Sequence, residues 1–190
     1  KVISLITFGI FAKRRYSEDY PWAPTDKERQ QVYDMIENNW CSDEMQLHSL
    51  APSKANDKNF MNWLTSYFRS GASPSAALKL TKMNTDVNIV DVLRFINVPT
   101  LIMQRTKDID VKVEEGRFIA DRIQNSKYIE FDGEDHLFWI GNTKEILDEI
   151  KDFIKNSSTN ITNKKGVKTL LFGHISNAKK SNIISDKLRE

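Results

Sequence analysis

The sequence predicts an α/β fold, a parallel sheet covered by helices with a helical cap inserted after the first strand. Three observations lead there. Short apolar runs rich in β-branched residues occur at 2–11, 98–104 and 127–131, a length that suits strands. Amphipathic helical patterns follow the second and third runs, and that alternation belongs to parallel sheets. Between the first and second runs, residues 25–90 carry helical periodicity and no strand-like run.

Taken in order, "VISLITFGIF" (2–11) reads as a fully buried strand with Gly9 near its end. "RRYSEDYPWAP" is a loop punctuated by Pro21 and Pro24. Thr25-Asp26-Lys27-Glu28 has capping-box spacing, so a helix runs from Thr25 toward Trp40 and buries Val32, Met35 and Ile36. Phe60, Trp63, Leu64, Tyr67 and Phe68 repeat at helical spacing, with Gly71 as a stop. Ser73-Pro74 opens a third helix through Ala76, Ala77, Leu80 and Met83. After the strand at 98–104, Phe118, Ile119, Arg122 and Ile123 mark a helix. After the strand at 127–131, Ile146, Leu147, Ile150, Phe153 and Ile154 mark the last one, capped by Thr143. The polar run 156–166, "NSSTNITNKKG", reads as a linker before the strand-like "VKTLLF" and a polar tail.

Composition narrows the function classes. The 190 residues suit one domain and a fragment of a second. A net charge of +2 with interspersed signs argues against a nucleic-acid surface. No apolar stretch reaches the ~20 residues needed to span a bilayer. The first apolar run precedes Lys13-Arg14-Arg15, the reverse of a signal peptide's order. A single cysteine, Cys41, excludes an internal disulfide framework and a cysteine zinc site, and a reduced, cytoplasmic setting is the default. The chain begins within an apolar segment and is expected to be a piece of something longer. No cofactor motif is present.

In parallel sheets, working residues sit in loops beyond the carboxyl ends of strands. One such loop is Arg105-Thr106-Lys107-Asp108-Ile109-Asp110. The other is Asp132-Gly133-Glu134-Asp135-His136, which leads into Leu137-Phe138-Trp139. If their strands are neighbours, Asp108 and His136, 28 residues apart, share one sheet edge. A carboxylate there holds an imidazole in the tautomer whose other nitrogen accepts a proton. Asp110 is the alternative acid, and Asp135 is expected to form the turn. His48 and His174 have no acid-loop partner and are taken as structural or solvent-facing. With three scattered histidines no metal site is expected. Trp22, Trp40 and Trp63 are expected to pack cap helices on one another, and Cys41 to be a buried thiol.

The run "VPTLIMQRTKDIDVKVEEGRFIADRIQNSKYIEFDGEDHLFWIG" resembles the acid-to-histidine half of the α/β-hydrolase family, whose chain order is nucleophile, acid, histidine. In that resemblance "RTKD" carries the acid at Asp108 and "GEDH" the histidine at His136. "VISLITFGIFAKRR" is similar to the strand after the nucleophile helix, and residues 25–90 correspond to the cap. No Gly-x-Ser-x-Gly elbow is present, so the nucleophile region is absent. More narrowly, "DYPWAPT", "LAPSKANDKNF" and "RSGASPSAALKLTKMN" resemble bacterial fusions of such a domain to a class III adenylate/guanylate cyclase. Residues 169–175, "TLLFGHI", resemble the opening cyclase strand, with Gly173 and His174 where those relatives have Thr and a metal-binding Asp.

The resemblance implies a partial α/β-hydrolase domain at 1–155, a linker at 156–166 and the start of a degenerate cyclase-like segment at 167–190. It implies the C-terminal half of a hydrolase acting on an ester-like or other small-molecule bond, this chain alone being inactive. The alternative is a ligand-sensing module of a hydrolase–cyclase fusion, and a third reading is a degenerate chain without activity. The expected partners are a small-molecule substrate or ligand and either the missing N-terminal half or a cyclase domain. Neither nucleic acid nor membrane is expected.

Overall fold

The structure is a computed structural model that describes residues 2–42, 45 and 47–159. The expected cyclase-like segment, with "VKTLLF" and His174, lies outside the described residues, as does the linker from 160 onward.

Three strands, β1 (Leu5–Phe8), β2 (Thr100–Arg105) and β3 (Ser126–Phe131), form a parallel sheet in the order β1-β2-β3. All of β2 is buried, because it is the central strand and both its faces are covered. Its side chains alternate accordingly. Ile102 enters a core with Tyr20, Leu93, Phe118 and Ile119, while Leu101 and Met103 enter another with Phe131 and Ile146. β1 differs from expectation. It is short and half-buried, since among the described residues it has a neighbour on one side only.

Among the described residues five α-helices accompany the sheet: α1 (Asp26–Asn39), α2 (Lys58–Gly71), α3 (Pro74–Thr85), α4 (Val113–Ala120) and α5 (Thr143–Thr159). The first three, with short 3-10 turns at Leu47–Leu50 and Pro52–Lys54, form the block between β1 and β2. Local caps explain where the helices start. Thr25 and Glu28 form the reciprocal capping box of α1, with Thr25 N donating to Glu28 Oε2 at 2.8 Å. Ser73 caps α3 ahead of Pro74. Asp57 caps α2 by accepting from Phe60 N at 3.0 Å.

Several expectations are corrected. Val32 is 39% exposed, and the buried positions of α1 are Arg29 and Ile36. The Arg29 guanidinium donates to Thr85 Oγ1 (2.7 and 2.9 Å) and to the Thr81 carbonyl of α3, so a polar clamp closes the seam. Trp63, expected to pack cap helices on one another, is 49% exposed and lies against Phe60 and Tyr67 of its own helix. Trp22 packs on Tyr20 and on Phe118 of α4, against the core that holds Ile102. Trp40 does tie cap elements together, donating to the Ala72 carbonyl at 2.9 Å and meeting Phe68 edge-on.

α4 ends at Ala120, and Arg122 lays its guanidinium on the Phe118 ring instead of continuing the helix. α5 begins at Thr143 itself, with Ile146 N donating to the Asn142 carbonyl, so Thr143 is not its cap. That helix runs through Thr159 and takes in the first residues of the expected linker. Cys41 is buried, and burial pushes its thiol up. No helix among the described residues is long and apolar enough to cross a membrane.

Ile102 sits in the middle of the central strand with no accessible surface. Ile102→Ala should destabilise the chain by about 2–5 kcal/mol, the range for emptying such a site. Urea unfolding followed by circular dichroism checks this, and a loss below about 1 kcal/mol would contradict the packing described.

Candidate active site

β2 and β3 stay paired to their ends, so Arg105 and Phe131 leave the sheet side by side. The acid loop and the histidine loop therefore start together, and their backbones remain joined. Thr106 N donates to the Phe131 carbonyl and Lys107 N to the Gly133 carbonyl, each at 3.0 Å. Asp108 is buried where the first loop turns. Its Oδ1 accepts from Asp110 N (2.9 Å) and Val111 N (3.2 Å), which holds the carboxylate in one orientation.

Asp108 Oδ2 lies 2.8 Å from His136 Nδ1. A carboxylate can only accept, so Nδ1 carries the proton and Nε2 of the neutral ring is left as the acceptor. The structure thus brings Asp108 and His136 together. Asp110 does not compete for Nδ1. It stands across the ring, with Oδ2 3.7 Å from Nε2. Arg14 holds it there, donating to the Asp110 carbonyl (2.8 Å) and to Oδ1 (3.1 Å).

The end of β1 completes the arrangement. Gly9 keeps its backbone paired to the Met103 carbonyl and then turns with φ +59°. A Cβ at this position would lie 2.9 Å from His136 Cε1 and 3.6 Å from Asp108 Oδ2. Only glycine fits both the conformation and the space.

Burial by itself disfavours a charged imidazole. The hydrogen bond and charge of Asp108 outweigh it, with Asp110 adding, and hold the His136 pKa above its ordinary value.

The histidine loop is also fastened to the cap. His136 N and Leu137 N both donate to the Leu50 carbonyl, at 3.0 and 3.3 Å. Asp135, expected to form a local turn, is instead buried and accepts from Ser53 N (3.0 Å) and Ser53 Oγ (2.7 Å). The loop lies against the Pro52–Lys54 turn, whose Ser53 supplies both donors. Leu137 and Ile140 join Leu47, Ala51 and Leu64 in a shared core, while Phe138 and Trp139 between them stay exposed and meet each other edge-on. His48 is exposed and takes no part. Among the described residues no group of three or more His, Cys, Asp or Glu side chains is placed to hold a metal ion.

The sequence alone assigns no site role to Gly9, Arg14, Leu50 and Ser53. A glycine at a strand's carboxyl end is a recognised sign of close approach and could have drawn attention to Gly9. The other three act through contacts that leave no local signature.

Gly9→Ala should destabilise the fold by roughly 1–3 kcal/mol through the strained conformation and displace the imidazole. Thermal melts check the first effect, and the His136 imidazole resonances of a labelled chain check the second. The pH dependence follows from the raised His136 pKa. Stability contributed by this group is fully present below its unfolded value of about 6.5 and is lost as pH rises through the folded value. The stability margin of the native chain over His136→Gln should therefore shrink on going from mildly acidic to alkaline pH, as read from urea melts at a series of pH values. A margin that does not change over that span contradicts the pairing.

No family model and no curated protein matches the chain at the level of sequence. Solved structures do match. A bromoperoxidase from Bacillus anthracis superposes with a TM-score of 0.71 at 23% identity, over 80% of this chain and 58% of that one. The esterase EaEST from Exiguobacterium antarcticum gives 0.71 at 19%, over 80% and 57%. MGS-M2, an alpha/beta hydrolase enzyme from a Medee basin deep-sea metagenome library, gives 0.64 at 13%, over 87% and 58%. Identities this low speak to the fold, and the chain spans less than two thirds of the length of the structures it matches. The parallel sheet with its covering helices is an α/β-hydrolase fold.

Proposed function

We propose that this chain carries the acid–base part of an α/β-fold hydrolase that cleaves an ester-like or other small-molecule bond. The observation that carries the reading is the 2.8 Å contact between Asp108 Oδ2 and His136 Nδ1 at the shared edge of β2 and β3. His136 is the general base. It accepts the nucleophile's proton at Nε2 and returns it to the leaving group, while Asp108 fixes the tautomer and stabilises the imidazolium. The sequence holds no Gly-x-Ser-x-Gly elbow, so the nucleophile and the oxyanion-binding groups come from a segment outside it. A small-molecule substrate binds beneath the helical cap. Its fastening to the histidine loop through Leu50 and Ser53 supports that placement. The printed name of one matching structure, an esterase, is in keeping with ester chemistry.

A second reading, a ligand-sensing module coupled to a cyclase domain, draws on the cap runs that contact the site. "LAPSKANDKNF" supplies both Leu50 and Ser53. On that reading a ligand binds without turnover, and binding survives His136→Ala.

The 190-residue chain by itself should neither turn over p-nitrophenyl esters nor be labelled by a fluorophosphonate probe. Labelling would sink the assignment of the nucleophile to another segment. In a longer protein that includes the nucleophile, His136→Ala should lower kcat by on the order of 10³-fold or more. The kcat/KM profile should rise with pH through the raised His136 pKa, because only the neutral ring accepts a proton. Turnover that survives His136→Ala would remove His136 from the role of base.

A further inference from the structure

We propose that Arg105 is the positioning residue for His136, acting as a buried template around which the histidine loop is folded. Arg105 is the last residue of β2 and is almost completely buried, although it carries a permanent charge. A guanidinium has five N–H donors, and here all five point into one segment, residues 135–142. Nη1 donates to the Asp135 carbonyl (2.5 Å) and the Leu137 carbonyl (3.1 Å). Nη2 donates to the Ile140 carbonyl and to Asn142 Oδ1 (2.9 Å), and Nε donates to Asn142 Oδ1 (3.1 Å). The Asp135 and Leu137 carbonyls flank His136 on either side. The backbone on both sides of the imidazole is therefore held by one nitrogen of one side chain.

The loop is shaped for this guest. Gly133 (φ +143°) would place a Cβ 3.0 Å from Arg105 Cδ, and Gly141 (φ +72°) would place one 3.5 Å from Nη2. Both have a backbone conformation unfavourable to side chains, and at Gly133 a side chain would also crowd Arg105, whereas at Gly141 the contact would be an ordinary one. Phe8 of β1 lies against the guanidinium, 5.4 Å from its centre. Lysine, a point charge with three donors on one atom, cannot reproduce this five-way fork. Arg105 does not touch the imidazole. Its effect on His136 passes through the loop.

The inference rests on the reading of His136 as the base, and its test makes no use of turnover. The full 190-residue chain, labelled with ¹⁵N, is titrated as the native protein, Arg105→Lys and Asn142→Ala, with Arg117→Lys on the exposed Glu130 pair as control. The native chain and the control should titrate His136 above the ordinary value and show a low-field Nδ1 proton from the bond to Asp108. In Arg105→Lys the His136 pKa should fall back toward about 6.5 and the low-field proton should be lost. Asn142→Ala should show a partial shift the same way. If Arg105→Lys does not fold, Asn142→Ala and Gly141→Ala decide. An unchanged His136 titration in the folded variants overturns the proposal. Turnover surviving His136→Ala in a longer protein would remove the base reading while leaving the Arg105 result standing.

Discussion

The Asp108–His136 hydrogen bond depends on the parallel register of β2 and β3. From Thr100 opposite Ser126 to Arg105 opposite Phe131 the two strands pair without a break, and adjacent strands lie about 4.8 Å apart. Two loops that begin from neighbouring residues at the same sheet edge can bring side chains 28 positions apart to 2.8 Å. A slip of one residue would turn every side chain of a strand to the opposite face and part the loops. The burial of β2 on both faces resists such a slip, because Leu101, Ile102 and Met103 would each have to leave its own core.

The site's electrostatics follow from the same crowding. Asp108, Asp110 and Asp135 lie within one small region, and a carboxylate taken from water is unfavourable unless hydrogen-bonded or paired. Each has donors of its own. Asp108 takes backbone N–H groups and the imidazole, Asp110 takes Arg14, and Asp135 takes the backbone and hydroxyl of Ser53. His136 is thereby set between two carboxylates, one bonded to Nδ1 and one facing Nε2. The cap is part of this arrangement, since it supplies Leu50 and Ser53 to the histidine loop and shares a core with Leu137 and Ile140.

Much of the fold was legible because it is written in local chemistry. The capping box at Thr25 and Glu28, the Ser73-Pro74 start and the Gly71 stop depend on residues within one helical turn, and each stands where expected. The runs at 98–104 and 127–131 read as strands because nothing in them competes with extended backbone. Which apolar positions would be covered was harder. Val32, Trp63 and Met83 have the right spacing and still face outward, because periodicity defines a face without naming its partner. Arg29 was invisible as a core residue for the complementary reason. A buried guanidinium is acceptable only where acceptors such as Thr85 and the Thr81 carbonyl await it.

By itself the sequence determined the alternation of strands and helices, the inserted helical block, and Asp108 and His136 as candidates at successive strand ends. These are properties of spacing and residue type along a short stretch of chain. The tertiary structure alone decided that Asp108 and not Asp110 meets Nδ1, that Asp135 reaches to Ser53 instead of its own turn, and that Gly9 must lack a side chain. It also decided that Arg105 holds the loop on both sides of the histidine. Each of these rests on atoms of residues far apart in the chain, or on which side of a ring a carboxylate stands. Such relations exist only after the strands have set their register.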